Sequence, residues 1–125
     1  MLVAGGSRGA GRGIALACGE AGATVYVAAR TSTDGPKPAD GAPGSVEDTA
    51  AEVTARGGKG MPVRADLSDE QEVSALFRRI EHDCGRLDVL ANSAWGPNVI
   101  HHWSTPFWEL SPELWTETLN TIGLC

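Results

Sequence analysis

The sequence predicts an α/β fold built on a doubly wound parallel sheet, and three observations support this prediction. Four short apolar segments alternate with segments of helical pattern along the 125 residues. One of these apolar segments is nearly continuous, as strands buried on both faces tend to be. A glycine-rich turn joins the first apolar segment to the first helix, as in a βαβ unit. Strands that alternate with helices in this way favour a parallel sheet.

The first βαβ unit occupies residues 1–29. Leu2-Val3-Ala4 is a short apolar strand, and the glycine-rich run Gly5–Gly13 follows it. The small apolar residues 14–18 predict a helix that can pack close to a sheet. Thr24–Ala29 is β-branched, aromatic and apolar, which predicts the second strand.

A long loop and a second helix come next. The loop from Thr31 to Gly44 contains three prolines and three glycines, and its length indicates a functional or mobile segment. Ser45-Val46-Glu47-Asp48 has a capping-box pattern and predicts the start of a helix. Arg56-Gly57-Gly58 predicts the end of that helix.

Two further strands are predicted at Met61–Ala65 and Leu87–Ala91. Pro62 places the first of them near a sheet edge, because proline cannot donate a ladder hydrogen bond. Between them, Ser68-Asp69-Glu70-Gln71 predicts the capped start of an amphipathic helix. Ser111-Pro112-Glu113 predicts the start of a last helix, with proline at its first position.

Composition excludes several classes of function. Ten Lys and Arg residues oppose sixteen Asp and Glu residues, and the net charge of −6 gives no drive toward nucleic acid or anionic lipid. No apolar run approaches the ~18–20 residues that cross a bilayer, and no secretory signal is visible. We therefore expect a cytoplasmic protein with no nucleic-acid or membrane partner.

The sequence predicts no metal site and no disulfide framework. The three cysteines, Cys18, Cys84 and Cys125, form no C-x-x-C pair, so neither a metal knuckle nor a disulfide pattern is indicated. His101 and His102 lack an acid or a cysteine at ligand spacing, which favours ordinary surface or loop histidines.

The glycine-rich turn carries the strongest functional signal. Gly5, Gly9 and Gly11 lie where a strand passes into a helix. Glycine there permits a tight turn and lets backbone N–H groups approach a pyrophosphate, and the N-terminus of the helix adds positive charge. We place the pyrophosphate over Ser7 to Gly11. The alternative is that these glycines only turn the chain; a P-loop is excluded because no Gly-Lys-Ser/Thr follows.

A dinucleotide-binding fold of this kind has six strands in the order 3-2-1-4-5-6. The chain supplies the first three of them and one strand of the second half. We therefore predict an incomplete Rossmann-type sheet of about four strands in the order 3-2-1-4.

The end of the second strand predicts which dinucleotide is bound. NAD enzymes carry an acid there for the ribose 2′-hydroxyl, but this sequence has Ala28-Ala29-Arg30. Arg30 and Arg8 could together hold a 2′-phosphate through planar, charge-assisted contacts. The pattern favours NADP over NAD; the alternative is that Arg30 is a solvated charge at the end of a strand.

Several motifs together resemble the short-chain dehydrogenase/reductase family. The run Ala4–Gly11 is similar to the family's T-G-x-x-x-G-x-G signature, with Ala4 in place of threonine and Ala10 in place of the common isoleucine. Asp66-Leu67 resembles the family's adenine-contacting site. Asn92-Ser93-Ala94-Trp95 resembles its N-N-A-G segment, with departures at the second and fourth positions.

Aromatic residues after the fourth strand add to the resemblance. Phe107-Trp108-Glu109 and Trp115 are similar to one branch of the family. With Trp95 and Trp103 these aromatic residues form a cluster that either lines a substrate site or packs the loop against the rest of the protein. Both interpretations stay open.

The resemblance implies NAD(P)-dependent oxidation of alcohols or reduction of carbonyls. It places adenine beside Asp66 and Leu67, and the nicotinamide side of the cofactor near Asn92 and Ala94. The family's catalytic Ser and Tyr-x-x-x-Lys lie beyond the residues present here. Asn120 is the one candidate for the family's auxiliary asparagine, and its alternative is an ordinary asparagine on a helix face.

On this basis we expect residues 1–125 to form a dinucleotide-binding Rossmann domain, truncated before the catalytic Ser and Tyr-x-x-x-Lys. It would be the cofactor-binding half of an NADP-preferring enzyme that acts on a small carbonyl or alcohol and can form a homo-oligomer at full length. The fragment alone should be inactive, because Tyr26, its single tyrosine, is followed four residues later by Arg30 and is expected in the core.

Two other functions stay open. The domain could be a non-catalytic or degenerate nucleotide-binding module. An S-adenosylmethionine methyltransferase has a similar glycine-rich turn, but usually carries an acid at the end of the second strand, where Ala29-Arg30 stands.

Overall fold

A four-stranded parallel sheet organises the part of the chain that the structure, a computed structural model, describes: residues 1–35, 41–95, 105–114 and 116. The strands are β1 (Leu2–Ala4), β2 (Thr24–Ala29), β3 (Lys59–Arg64) and β4 (Leu90–Asn92). Their order is β3-β2-β1-β4, and every pair is parallel. The predicted fold class and strand order are confirmed.

Helices cover both faces of this sheet. They are α1 (Gly9–Glu20), α2 (Val46–Ala55) and α3 (Glu70–Cys84), and a short 3₁₀ helix spans Phe107–Glu109. Alternate residues of the strands point to opposite faces, so the sheet divides the core in two. One half packs the strands against α1 and α2 and contains Val3, Val25, Val27, Ala29, Ala15, Val46, Ala50 and Val53. The other packs them against α3 and contains Leu2, Ala4, Tyr26, Ala28, Ala65, Leu67, Leu76 and Ile80.

Side chains cap the helices that follow β2 and β3. Ser45 Oγ accepts the Asp48 N–H at 3.0 Å at the start of α2. At the start of α3 the cap is Asp69, whose carboxylate accepts the N–H groups of Gln71 and Glu72. Both of these helix starts were predicted from the sequence pattern.

The fourth strand is shorter than the sequence predicted. It covers Leu90–Asn92 rather than Leu87–Ala91, and it pairs with β1 in the register Leu2 to Leu90 and Ala4 to Asn92. Because β1 has only three residues, the hydrogen-bonded ladder between β1 and β4 cannot be longer than three residues. Leu87 instead packs against the core beneath α3.

The third strand begins earlier than predicted, at Lys59, and ends at Arg64. It forms one edge of the described sheet, as its proline indicated. Pro62 pairs in register with Val27 of β2. The other side of this edge strand has no ladder partner in the described sheet, so the N–H that proline lacks is not needed there.

Tyr26 is a core residue, as predicted. Its side chain is 1% exposed, and its hydroxyl donates to Asp83 Oδ2 at 3.0 Å and lies 3.5 Å from Cys84 Sγ. Burial, together with the contacts to Cys84 and Asp83, raises the pKa of the phenol above its ordinary value.

None of the helices in the described residues has the length and apolar character that crossing a bilayer requires.

Candidate cofactor site

The glycine-rich turn folds back over the end of β2. The backbone N–H groups of Gly5 and Gly6 both donate to the Ala28 carbonyl, at 2.8 and 3.2 Å. Gly5 has a φ of 77°, in the left-handed region that favours glycine. A Cβ on Gly5 would lie 2.7 Å from the Ala94 nitrogen and would overlap the Ser93 carbonyl. The turn therefore packs directly against the segment that follows β4.

Gly9 differs from Gly5 in the space around it. It has a φ of 55°, and a Cβ built on it would meet no atom of the described residues within 4 Å. It is also the first residue of α1. Gly9 thus leaves open space beside the N-terminus of this helix.

The first turn of α1 supplies neither a side-chain cap nor an acid to offset the positive charge at the N-terminus of this helix. The N-cap residue Arg8 makes no side-chain capping bond, and the first turn carries no acidic residue. In α2 and α3, by contrast, a capping side chain accepts N–H groups and acids follow in the first turn. Backbone N–H groups without an internal partner, beside open space, fit the pyrophosphate of a dinucleotide. Ala10 is exposed in this first turn, while Ser7 is buried beneath it.

Of the two arginines predicted for the 2′-phosphate, Arg30 directly follows β2, and Arg8, the N-cap of α1, reaches the same segment. Arg8 Nη2 donates to Thr31 Oγ1 at 2.8 Å, across 23 positions of sequence. Arg30 is exposed and directly precedes Thr31. The structure therefore brings Arg8 to the segment that Arg30 begins. Thr31 was missed by the sequence analysis, and a hydroxyl adjacent to Arg30 was the signal that could have identified it.

Asp66 and Leu67 follow β3 at the same edge of the sheet. Leu67 is buried, and Asp66 is half-buried. Burial alone would raise the pKa of Asp66, but hydrogen bonds from the hydroxyl and N–H of Ser68, with the charges of Arg30 and Arg64, lower it. The carboxylate is thus ionised and lies in the field of Arg30.

Asn92 and Ala94 come after β4. The Ser93 N–H donates to the Ala4 carbonyl at 2.9 Å, which extends the pairing beyond the last strand residue. Asn92 Oδ1 accepts the Ala94 N–H at 3.1 Å. Together with the close approach of Gly5 to Ser93, these contacts place Asn92 and Ala94 beside the glycine-rich turn.

The sequence-predicted residues of the cofactor site therefore meet at the carboxyl ends of the four strands, with the exception of Asn120, which lies outside the described residues. In open α/β sheets, ligands bind at this edge. No group of three His, Cys, Asp or Glu side chains suited to a metal ion occurs among the described residues.

The aromatic cluster is described only in part. Trp95 is 55% exposed and Trp108 is 72% exposed. Trp103, Trp115, His101 and His102 lie outside the described residues.

A polar network beside the site was not predicted. The carboxylate of Glu47 accepts the Ser32 hydroxyl at 2.7 Å, the Thr33 N–H at 2.9 Å and the Thr33 hydroxyl at 3.2 Å. Burial would raise the pKa of Glu47, but the hydrogen bonds from Ser32, from Thr33 and from its own backbone lower it to about 2. Hydroxyl residues at the start of the long loop and an acid just after it were the available signal.

Comparison with known proteins shows the family of this chain. The family model described as short chain dehydrogenase matches residues 1–122. Mouse dehydrogenase/reductase SDR family member 1 is 37% identical over 126 residues, which cover 98% of this chain and 36% of the mouse protein. It represents the branch that the aromatic residues indicated. Hydroxysteroid dehydrogenase-like protein 2 of Xenopus tropicalis is 35% identical over 85% of this chain and 24% of its own length.

A solved structure agrees as well. The crystal structure of a short chain dehydrogenase from Mycobacterium thermoresistibile has a TM-score of 0.77 and 28% identity, over 98% of this chain and 40% of that one. The chain thus spans about a third of the length of the mouse relative, and less than half of this solved structure.

Proposed function

The chain belongs to the short-chain dehydrogenase/reductase family, and on that premise we propose that it is the cofactor-binding part of an oxidoreductase that prefers NADP to NAD. The observation that carries this proposal is the open space at Gly9 beside the uncapped N-terminus of α1. A bound nicotinamide would supply or accept the hydride that a small alcohol or carbonyl substrate exchanges.

Each part of the dinucleotide has residues suited to it. The N–H groups from Ser7 to Gly11 would bind the pyrophosphate, because they surround the N-terminus of α1. Asp66 and Leu67 would flank the adenine, with Leu67 supplying a buried apolar wall. Asn92 and Ala94 would lie on the nicotinamide side, next to Gly5.

The charges at the end of β2 support NADP. The strand ends in Ala28-Ala29-Arg30, without the acid that would bind a 2′-hydroxyl and repel a 2′-phosphate. The Arg8 contact to Thr31 brings a second guanidinium to the segment that Arg30 begins. Each charge-assisted hydrogen bond contributes about 1.5–3 kcal/mol, so two such contacts suffice for a strong preference.

The catalytic step is expected of residues outside this chain. The single tyrosine, Tyr26, is buried in the core and its hydroxyl is bonded to Asp83, so it does not reach a substrate at the carboxyl edge of the sheet. We propose that Asn120 is the family's auxiliary asparagine. We also expect the 125 residues alone to show no turnover, and the whole protein to be cytoplasmic and able to form a homo-oligomer.

Calorimetric titration of the chain with NADPH and with NADH tests the proposal. We expect NADPH to bind at least roughly tenfold more tightly, as one retained charge-assisted contact predicts. Equal affinities would overturn the NADP preference, and binding of neither nucleotide would overturn the cofactor-binding role. A non-catalytic nucleotide-binding module would bind in the same way, and would differ in showing no turnover even at full length.

A further inference from the structure

The first turn of α2 is bound to the segment that follows β2. Glu47, the second residue of this helix, accepts hydrogen bonds from the Ser32 hydroxyl and from both the N–H and the hydroxyl of Thr33. Its carboxylate also accepts its own backbone N–H, while Ser45 Oγ makes the N-cap bond of the helix by accepting the Asp48 N–H. The three bonds of Glu47 therefore serve the segment Thr31–Thr33.

The same segment is held at its first residue from two sides. The Val46 N–H donates to the Thr31 carbonyl at 3.0 Å. Thr31 Oγ1 accepts the bond from Arg8 Nη2 at 2.8 Å. The backbone position of Thr31 is thus fixed by α2, and its side chain in turn fixes the guanidinium of Arg8. Arg30 is the residue immediately before.

The first turn of α2 also supports the glycine-rich turn. Thr49 is fully buried, and its hydroxyl donates to the Ser7 carbonyl at 3.4 Å. Gly44, just before the helix, packs so closely on the same carbonyl that a side chain there would overlap it. One helical turn therefore holds both polypeptide segments from which the two arginines project.

We propose that Glu47 is a positioning residue that determines nucleotide specificity: by binding Ser32 and Thr33 it holds the segment after β2 so that Arg8 and Arg30 face a 2′-phosphate. This inference rests on the proposed function. Glu47 itself does not contact the nucleotide; it acts through Thr31 and the backbone of the segment. Its effect is therefore specific to ligands that carry the 2′-phosphate.

The direction in which NADPH affinity changes when Glu47 is replaced distinguishes this positioning role from a simple charge effect. A carboxylate near a 2′-phosphate repels it, so removal of that charge alone would strengthen NADPH binding. Loss of a positioning carboxylate would weaken NADPH binding, because the arginines would have to be ordered when the ligand binds. A merely structural role would weaken NADPH and NADH equally.

The experiment measures dissociation constants for NADPH and NADH by calorimetry in the 125-residue chain and in its Glu47→Gln variant. We expect the NADPH constant to rise about fivefold, as loss of one or two hydrogen bonds predicts, while the NADH constant changes less than about twofold. Asp48→Asn is the matched control, because it removes one exposed carboxylate from the same helical turn. It should leave both constants unchanged.

Other outcomes overturn the inference in distinguishable ways. Tighter NADPH binding by Glu47→Gln would show that Glu47 acts through its charge and not by positioning. Equally weaker binding of NADPH and NADH would show that its role is merely structural. If the unsubstituted chain bound neither nucleotide, the proposed function itself would fail. If Glu47→Gln did not fold, Ser32→Ala removes one bond from the loop side and leaves α2 intact; it should shift NADPH affinity in the same direction by a smaller factor, and no shift would overturn the inference.

Discussion

Gly11 packs against Gly5 so closely that a side chain on Gly11 would overlap the Gly5 carbonyl oxygen. Gly9, two residues earlier, faces open space. The glycine motif in the sequence does not distinguish Gly9 from Gly11, but the physical roles of the two residues differ. Gly11 allows α1 to begin directly over the turn, whereas Gly9 leaves room beside the N-terminus of the helix for a ligand.

We expect Gly11→Ala to destabilise the fold, because its methyl group would meet backbone that cannot move aside. Gly9→Ala costs about 1–2 kcal/mol for its positive φ but leaves the packing intact, and it should abolish NADPH binding by filling the space for the pyrophosphate. Thermal melting and calorimetric titration of each variant measure the two effects.

Gly13→Ala is the control for both variants. Gly13 lies in α1 with no neighbour within 4 Å of a Cβ and without a positive φ, so the variant should melt slightly higher, as alanine favours a helix over glycine, and bind normally. A folded Gly9→Ala chain with unchanged NADPH affinity would contradict the assignment of the pyrophosphate.

The second prediction concerns the arginines. Arg30→Ala should raise the NADPH dissociation constant about tenfold or more, because one charge-assisted contact is lost, and should leave NADH almost unchanged. Arg8→Ala should do the same and also remove the bond to Thr31. Arg56→Ala, at the far end of α2 in ion pairs with Glu20 and Glu52, is the control for loss of one positive charge. Equal losses for both nucleotides would remove Arg30 from the phosphate site.

The sheet was predictable because its signals are local. Apolar runs such as Thr24–Ala29 and capping residues such as Ser45 and Asp69 act within a few positions of sequence. The strand order was then taken from the dinucleotide-binding fold that the glycine-rich turn indicated. The same logic brought Arg30, Asp66 and Asn92 to one edge of the sheet, since parallel strands end on the same side. Their shared edge follows from the topology, whereas the roles expected of Asp66 and Asn92 came from the family resemblance.

The contacts that tie the site together could not be predicted in this way. Glu47 meets Ser32 across a loop whose path no periodicity specifies, and Arg8 meets Thr31 across 23 positions. The length of β4 depends on how many residues of β1 are available to pair with it, so the apolar run Leu87–Ala91 overestimated it. These features arise from the packing of whole elements.

The third prediction is a pH dependence of stability that Glu47 contributes. Its pKa is lowered in the folded chain from 4.5 to about 2, so folding favours the ionised carboxylate. The stabilisation is complete above pH 4.5 and is lost as the pH falls toward 2, because the unfolded chain binds the proton first. Melting temperatures recorded from pH 6 to pH 3 should therefore fall less steeply in Glu47→Gln than in the unsubstituted chain. Asp48→Asn controls for loss of a carboxylate, and an identical slope in Glu47→Gln would refute the prediction.

The last prediction concerns the edge of the described sheet. There β4 pairs with β1 alone, and Val89 and Leu90 are 51% and 42% exposed. An unpaired, apolar strand edge is a template for pairing with another chain. We therefore expect the 125-residue chain, produced by itself, to self-associate.

Sedimentation velocity at several concentrations measures this association. Leu90→Lys should reduce it, because a charge on an edge strand disfavours pairing with a second strand. Ile14→Lys is the matched control: Ile14 is 39% exposed but lies on the helix α1 and not on a strand. If the association arose from apolar exposure in general, both lysines would reduce it; if it arose from the edge, only Leu90→Lys would. A chain that sediments as a monomer at every concentration would contradict the prediction, since the ladder groups of β4 would then remain solvated without attracting a partner.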